Sequence, residues 1–123
     1  MANQWPEFDK LPKQKSIRSI LLEEGHGVSD RTGNEIRFLV ESLPHDNGGF
    51  IHRCFLLADK IGYRYPLLRV MQVGLDYPVK VVADAFPQDT AAGNEAELRK
   101  ALGIVFQSDP VKKVVPQLLE MVA

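Results

Sequence analysis

Apolar residues near the start of the chain recur at helical spacing. Three of them share one face of a helix: Ile17, Ile20 and Leu21. We therefore predict a helix that begins at Lys13. Its end stays open, because Gly25 suits a left-handed cap whereas Val28 continues the apolar stripe. The pattern places that end between Glu24 and Arg31.

After a turn at Gly33, the apolar period shortens to about two residues, which is typical of strands. The alternation predicts four strands, over residues 35–41, 50–57, 67–73 and 79–84. Parallel strands need crossover connections of about a dozen residues. Because the connections here are shorter, we expect an antiparallel meander in the order 1-2-3-4.

Residues 86–93 have the composition of a loop, and two helices are predicted to follow it. Asn94 and Glu97 form a capping-box-like pattern at the start of the first. Its apolar stripe comprises Leu98, Ala101, Leu102, Val105 and Phe106. Asp109 is predicted to cap the second helix, with Pro110 at its first position. Pro116 lies inside that second stripe, so the helix is either kinked there or begins there.

The predicted fold class is α+β, in two layers: one N-terminal helix, a four-stranded antiparallel meander sheet and two C-terminal helices. Residues 1–12 form an extended N-terminal arm in this prediction, and residues 13–123 form the single domain. The arm carries two large apolar side chains, Trp5 and Phe8. We expect them to fasten the arm to its own domain, the alternative being insertion into a partner.

This order of elements resembles the topology of the double-stranded-RNA-binding domain, in which one helix, three strands and a further helix follow each other. That family carries a dense lysine run at the start of its last helix. The corresponding segment here is acidic, with Glu95 and Glu97 in the first turn. The resemblance is one of topology and implies no RNA-binding function.

Composition narrows the classes of function. The 123 residues are 45% hydrophobic and 25% charged, with a formal net charge of -1, as in an ordinary globular domain. Without a basic excess, strong electrostatic binding of nucleic acid is not expected.

A single cysteine, Cys54, leaves no internal disulfide. No apolar run is long enough to span a membrane and the N-terminus has no secretory pattern, so we expect a cytoplasmic protein.

The sequence contains no spacing typical of a metal, cofactor or nucleophile site, so we expect no such site and no enzymatic activity. Cys54 lies within an apolar strand, where a thiol is usually inert. The alternative is a small enzyme or ligand-binding domain with a site near His26, His45 or His52. A second alternative is weak RNA binding, with bases stacked on the segment from Tyr63 to Tyr65.

Alternation along the four predicted strands indicates one unusual sheet face. If the strands pair in register, four cations share it: Arg37, Arg53, Arg69 and Lys80. Four apolar residues accompany them: Leu39, Phe55, Met71 and Val82. Arginine, methionine and aromatic residues are enriched at protein interfaces. We therefore predict a partner-binding face centred on Arg53, Phe55, Arg69 and Met71, with Arg37 and Lys80 beside them. The alternative is that a helix covers this face.

The resulting hypothesis is a small, non-enzymatic, cytoplasmic protein-binding module of the adaptor, chaperone-like or toxin-neutralising type. Its partner would be another protein or a second copy of the chain, as a homodimer. A membrane partner is excluded by this hypothesis, and nucleic acid is not expected.

Overall fold

The computed structural model describes residues 3–12, 14–46 and 48–123, and a five-stranded antiparallel sheet forms its centre. The strands are β1 (Arg37–Pro44), β2 (Phe50–Ala58), β3 (Tyr63–Gln72), β4 (Val79–Ala83) and β5 (Thr90–Ala92). Each strand pairs with the next, in the order β1-β2-β3-β4-β5. The α+β class and the antiparallel meander are confirmed, but the sheet has one strand more than the four predicted.

The fifth strand lies in the segment predicted as a loop. β5 has only three residues and pairs with β4 through Val79↔Ala92 and Val81↔Thr90. A segment this short shows no alternation, so its sequence resembles that of a loop. β3 also begins earlier than predicted, at Tyr63, because its first residues pair with the end of β2 beyond a bulge at Cys54 and Phe55.

The N-terminal helical region comprises α1 (Ile17–Gly25) and α2 (Gly27–Arg31). α1 begins at Ile17, later than the predicted start at Lys13, a residue that lies outside the described ones. Ser16 caps α1 by accepting a hydrogen bond from the Ser19 amide at 3.1 Å. Helical structure ends once at Gly25 and again at Arg31. The ring of Phe38 lies directly on Gly25, leaving no room for a side chain there.

Two longer helices, α3 (Glu95–Phe106) and α4 (Asp109–Val122), complete the chain. The cap position of α4 is Ser108, so the assignment of Asp109 as cap was wrong by one residue. The Ser108 hydroxyl donates to the Val105 carbonyl, which ties the two helices together at 2.6 Å. α4 continues through Pro116, so the helix does not begin at that proline.

The cap of α3 is confirmed and gives a direct test of local stability. The Asn94 side-chain oxygen accepts a hydrogen bond from the Glu97 amide at 2.9 Å. Asn94→Ala leaves that amide unpaired, and we expect it to lower the free energy of unfolding by about 1 kcal/mol in urea titrations. Asn94→Asp retains an acceptor and should remain near wild type. An unchanged urea midpoint in Asn94→Ala would contradict the cap.

One face of the sheet and the helices enclose the core. Helix residues with no exposed surface include Ile20, Leu21, Leu98 and Leu102, and they join Val70 and Val81 of the sheet. Arg99 of α3 connects the helices of this layer by pairing with Glu23 and Glu24 of α1. Of the helices in the described ranges, none is both long and apolar enough to cross a bilayer.

The N-terminal arm does not pack on the domain as expected. Trp5 is 73% exposed and Phe8 is 59% exposed, and their ring centroids lie 6.1 Å apart. The two aromatic side chains therefore contact each other, and neither belongs to the core cluster. The expectation that they fasten the arm was wrong, and the arm includes a short 3₁₀ turn at Phe8–Lys10.

Candidate interaction surface

The sheet face opposite the helices, called the outer face below, carries the residues predicted to bind a partner. Its members are Arg37, Leu39, Glu41, Leu43, Ile51, Arg53, Phe55, Leu57, Arg64, Pro66, Arg69, Met71, Lys80 and Val82. The register pairs Leu39 with Phe55 and Arg69 with Val82, as the predicted face requires. None of these members belongs to the core cluster of the described residues.

Arg53 and Arg69 lie directly opposite each other on β2 and β3. Both side chains are exposed. Among the residues that the structure describes, neither forms an ion pair or a side-chain hydrogen bond. Like charges at directly opposed positions destabilise a sheet by up to about 1 kcal/mol. Glu41 lies opposite Arg53 on β1, but its carboxylate is bound by Arg64. Both guanidinium groups therefore remain available to an external anion.

The other cations of the outer face already have carboxylate partners. Arg37 pairs with Asp59 at 2.7 Å, and the guanidinium lowers the pKa of that carboxyl through its hydrogen bonds. Arg64 pairs with Glu41 at 2.7 Å. Lys80 lies 3.9 Å from Asp89. In the described chain, the cations of the outer face that lack a carboxylate partner are therefore Arg53 and Arg69, at its centre.

Half-buried apolar side chains surround the two arginines. The Arg64 guanidinium lies 4.3 Å from the centroid of the Phe55 ring, a cation–π geometry that fixes the ring in place. Met71 and Ile51 line a depression of about 230 Å³ at one end of the face, beside Lys80. The surface therefore combines two free guanidinium groups with an apolar recess that a partner side chain could fill.

No protein-family model, curated protein or solved structure matches this chain.

The three histidines of the enzyme alternative lie apart. His26 lines a depression next to Phe38, His45 lines the recess beside Met71, and His52 lines a cavity of about 400 Å³ near α1. The convergence that this alternative needs does not occur. Within the described ranges, no group of three histidine, cysteine or acidic side chains is arranged to hold a metal ion.

His52 belongs to a buried chain of hydrogen bonds. Its Nε2 lies against the Gln72 amide oxygen, an acceptor, so Nε2 carries the proton. Nδ1 then accepts from the Ser42 hydroxyl at 2.7 Å, and Ser42 in turn accepts from Arg18 at 3.0 Å. Every group is satisfied with neutral imidazole. The third member is an amide rather than a carboxylate, so it lacks the negative charge that stabilises the imidazolium in a catalytic triad.

Acid is expected to destabilise the protein through His52. Burial lowers the pKa of His52 in the folded state; the hydrogen bond to Gln72 opposes this shift, and the Arg18 charge adds to it. The unfolded chain therefore takes up the proton first as pH falls. Buried neutral His52 does not reduce the free energy of unfolding above about pH 6.5. Below that pH the free energy of unfolding falls, by at most about 1.4 kcal/mol for each pH unit that separates the unfolded and folded pKa values of His52. Urea titrations at pH 5 to 8 measure this loss. His52→Gln should show a shallower dependence, and an equal slope in both proteins would contradict the assignment.

Cys54 is 1% exposed, and burial raises the pKa of its thiol to about 12. Since the thiolate is the reactive form, we expect no labelling by a thiol reagent under native conditions and rapid labelling in urea. The chain has a single cysteine, so any label reports this position alone. Rapid native labelling would contradict the inert assignment.

The segment proposed to stack on bases is divided between the two faces of the sheet. Tyr63 and Tyr65 line a groove with Val114 and Met121 of α4. Arg64 instead covers Phe55 on the outer face. The tyrosines and the arginine therefore do not form one platform, as the alternation along this segment indicates.

His45 and Asp46, two residues of the polar loop singled out in the sequence, lie between β1 and β2. The His45 amide donates to the Gly49 carbonyl at 2.9 Å, and the Gly48 amide donates to the His45 carbonyl at 3.0 Å. Gly48 adopts a positive φ of 85°. Asn47 lies outside the described residues.

Four members of the outer face were missed from the sequence: Leu43, Ile51, Arg64 and Pro66. Ile51 has the same parity on β2 as Arg53, so the alternation already contained that signal. Arg64 joins the face because β3 begins at Tyr63 and its register with β2 shifts next to Pro66. A proline within a strand is the sequence signal for such a bulge.

Proposed function

We propose that this chain is a non-enzymatic protein-binding module whose outer face docks an acidic segment of another protein. The observation that carries the proposal is the opposed pair of Arg53 and Arg69, exposed and without a carboxylate partner in the described chain. An adaptor, a chaperone-like protein or a toxin-neutralising protein of the cytoplasm would use such a face.

Arginine geometry favours a carboxylate partner. The planar guanidinium binds a carboxylate through two parallel hydrogen bonds, which adds directional specificity to the charge. Phe55 and Met71 lie beside the two arginines and would exclude water from a docked carboxylate. The recess next to Met71 offers a place for an apolar side chain of the same partner. Central anchors of this kind carry most of the binding energy in protein interfaces.

A second copy of the chain fits this face less well. A two-fold interface brings the same patch of both copies together. Arg53 and Arg69 would then meet the equivalent arginines, and like charges at an interface oppose association. We therefore propose a different protein as the partner, and self-association through this face would count against the proposal.

Nucleic acid is likewise less suited to the outer face. Strong binding to a phosphate backbone requires many uncompensated cations, whereas three of the five on this face are already paired with carboxylates. The one aromatic ring at its centre, Phe55, is covered by Arg64.

Capture from extracts of the native host, with partners identified by mass spectrometry, tests the proposal. The wild-type chain is compared with Arg53→Glu/Arg69→Glu and with a control that reverses two exposed lysines of the helices, Lys100→Glu/Lys113→Glu. We expect one acidic protein to be retained by the wild type and by the control but lost from the arginine variant. Equal retention by all three, or recovery of RNA or of the chain itself, would contradict the proposal.

A further inference from the structure

A second surface feature, independent of the outer face, is an apolar cleft between α2 and α4. Its volume is about 580 Å³, within the range of small-molecule sites. Its walls are mainly apolar, and include Val28, Phe38, Phe106, Val111, Val115 and Leu119. Phe38 and Phe106 meet edge to face with centroids 5.7 Å apart, and they hold one wall rigid. Leu56, which is 2% exposed, also lines the cleft.

The charged lining residues that lack an ion-pair partner in the described chain are both cations. Arg31 and Lys112 line it and are exposed, and in the described part of the chain neither forms an ion pair. The one carboxylate among the lining residues is Glu24, and Arg99 already binds it. The cleft therefore joins an apolar interior to two cations that lack anionic partners.

Gly27 lines the cleft at the start of α2 and is not required there by the fold. A methyl group at this position would meet no atom within 4 Å, and the backbone is not in the left-handed region. Glycine within a helix is less favourable than alanine. Its effect here is to leave space at the wall of the cleft.

We propose that this cleft binds a small amphiphile with one apolar chain and one anionic head group, of the fatty-acid class. The chain would lie against Val28, Phe106 and Val115, and the head group would contact Arg31 and Lys112. Each methylene of the alkyl chain that leaves water for the apolar walls strengthens binding. The two cations select a carboxylate over a cationic head group on the same chain.

The test compares two probes of equal chain length, decanoate and decylammonium, well below their micellar concentrations. Binding is followed by calorimetry and by NMR shifts of the valine and leucine methyl groups. We expect saturable binding of one decanoate per chain, with shifts at Val28, Val111 and Val115. Decylammonium should bind roughly tenfold or more weakly, since it places a cation beside two cations. Absence of saturable binding, or equal affinity for both probes, would overturn the proposal.

Two variants separate the apolar from the charged contribution. Gly27→Leu places a side chain in the cleft and should abolish decanoate binding. Gly103→Leu is its control, because Gly103 is also helical with open space around it but lies outside the cleft. Arg31→Gln/Lys112→Gln changes only exposed residues and should weaken decanoate roughly tenfold while removing the preference over decylammonium. Wild-type affinity in either cleft variant would overturn the proposal.

Discussion

Replacing both Arg53 and Arg69 with alanine is expected to weaken partner binding roughly thirtyfold or more, or about 2 kcal/mol. The free energy of unfolding should stay constant or rise slightly. The two arginines oppose each other across β2 and β3, and the described residues give them no carboxylate. Their removal therefore relieves a like-charge contact while depriving the partner of its anchors. Calorimetry with the captured partner and urea titrations of the variant measure the two quantities.

The matched control for that prediction is Lys100→Ala/Lys113→Ala, which removes the same charge from exposed helix positions. This control shows how much of the loss in affinity comes from the lower net charge and how much from contacts of the two arginines with the partner. Salt screens the long-range attraction over about 10 Å. Loss of folding in the arginine variant would show that the two residues are structural. Wild-type affinity in a folded arginine variant would exclude this face as the interface, and the loop at His45 and Asp46 would become the next candidate.

Gly49→Ala is expected to destabilise the protein by about 3 kcal/mol, a large effect for one methyl group. Gly49 is buried beside β3, and an added side-chain carbon would overlap the backbone carbonyl of Gln72. Backbone atoms of a central strand have little freedom to move aside. Displacing Gln72 would also disturb its hydrogen bond with His52. Urea titration measures the loss of stability, and the NMR signals of the His52 ring show whether that side chain remains buried.

Gly103→Ala is the appropriate control, because the added carbon at this helical position meets nothing within 4 Å. It should be neutral or stabilising by up to about 1 kcal/mol, since alanine favours helix over glycine. Equal stability of Gly49→Ala and wild type would contradict the close approach of this turn to β3.

Much of the fold was predictable because the spacing of apolar residues in the sequence matches the positions that are buried in the structure. The alternation around Val40 and Val70 marks buried strand positions, and the stripe at Leu98 and Leu102 marks a helix that packs against the same core. What could not be predicted depends on tertiary contacts. β5 is stabilised by pairing with β4, not by its own three residues.

Among the glycines and the polar residues, too, some roles are predictable from the local sequence and others depend on tertiary contacts. Gly48 has the positive φ that its turn composition indicates. Gly49 is glycine for a different reason, the nearness of β3, which only the folded chain shows. Likewise, a strand pattern places His52 on the buried face, but its partners Ser42 and Gln72 come from neighbouring strands.

The outer face was predicted from parity alone, because alternation assigns Arg53 and Phe55 to the same side of β2. That the two arginines are opposed and unpaired depends on the register between strands, which a slip of one residue would reverse. The apolar cleft was not found from the sequence, since its walls come from helices and strands far apart in the chain.

Site-specific photo-cross-linking in the native host tests directly whether the outer face binds another protein. A photoreactive phenylalanine analogue is placed at Phe55 or Met71 of the outer face, and at Ile104 or Met121, which are exposed on α3 and α4. The proposed function predicts one discrete adduct, with the same acidic protein, from the two outer-face positions and none from the helices. Adducts only from the helix positions, or the same adduct from all four, would contradict it.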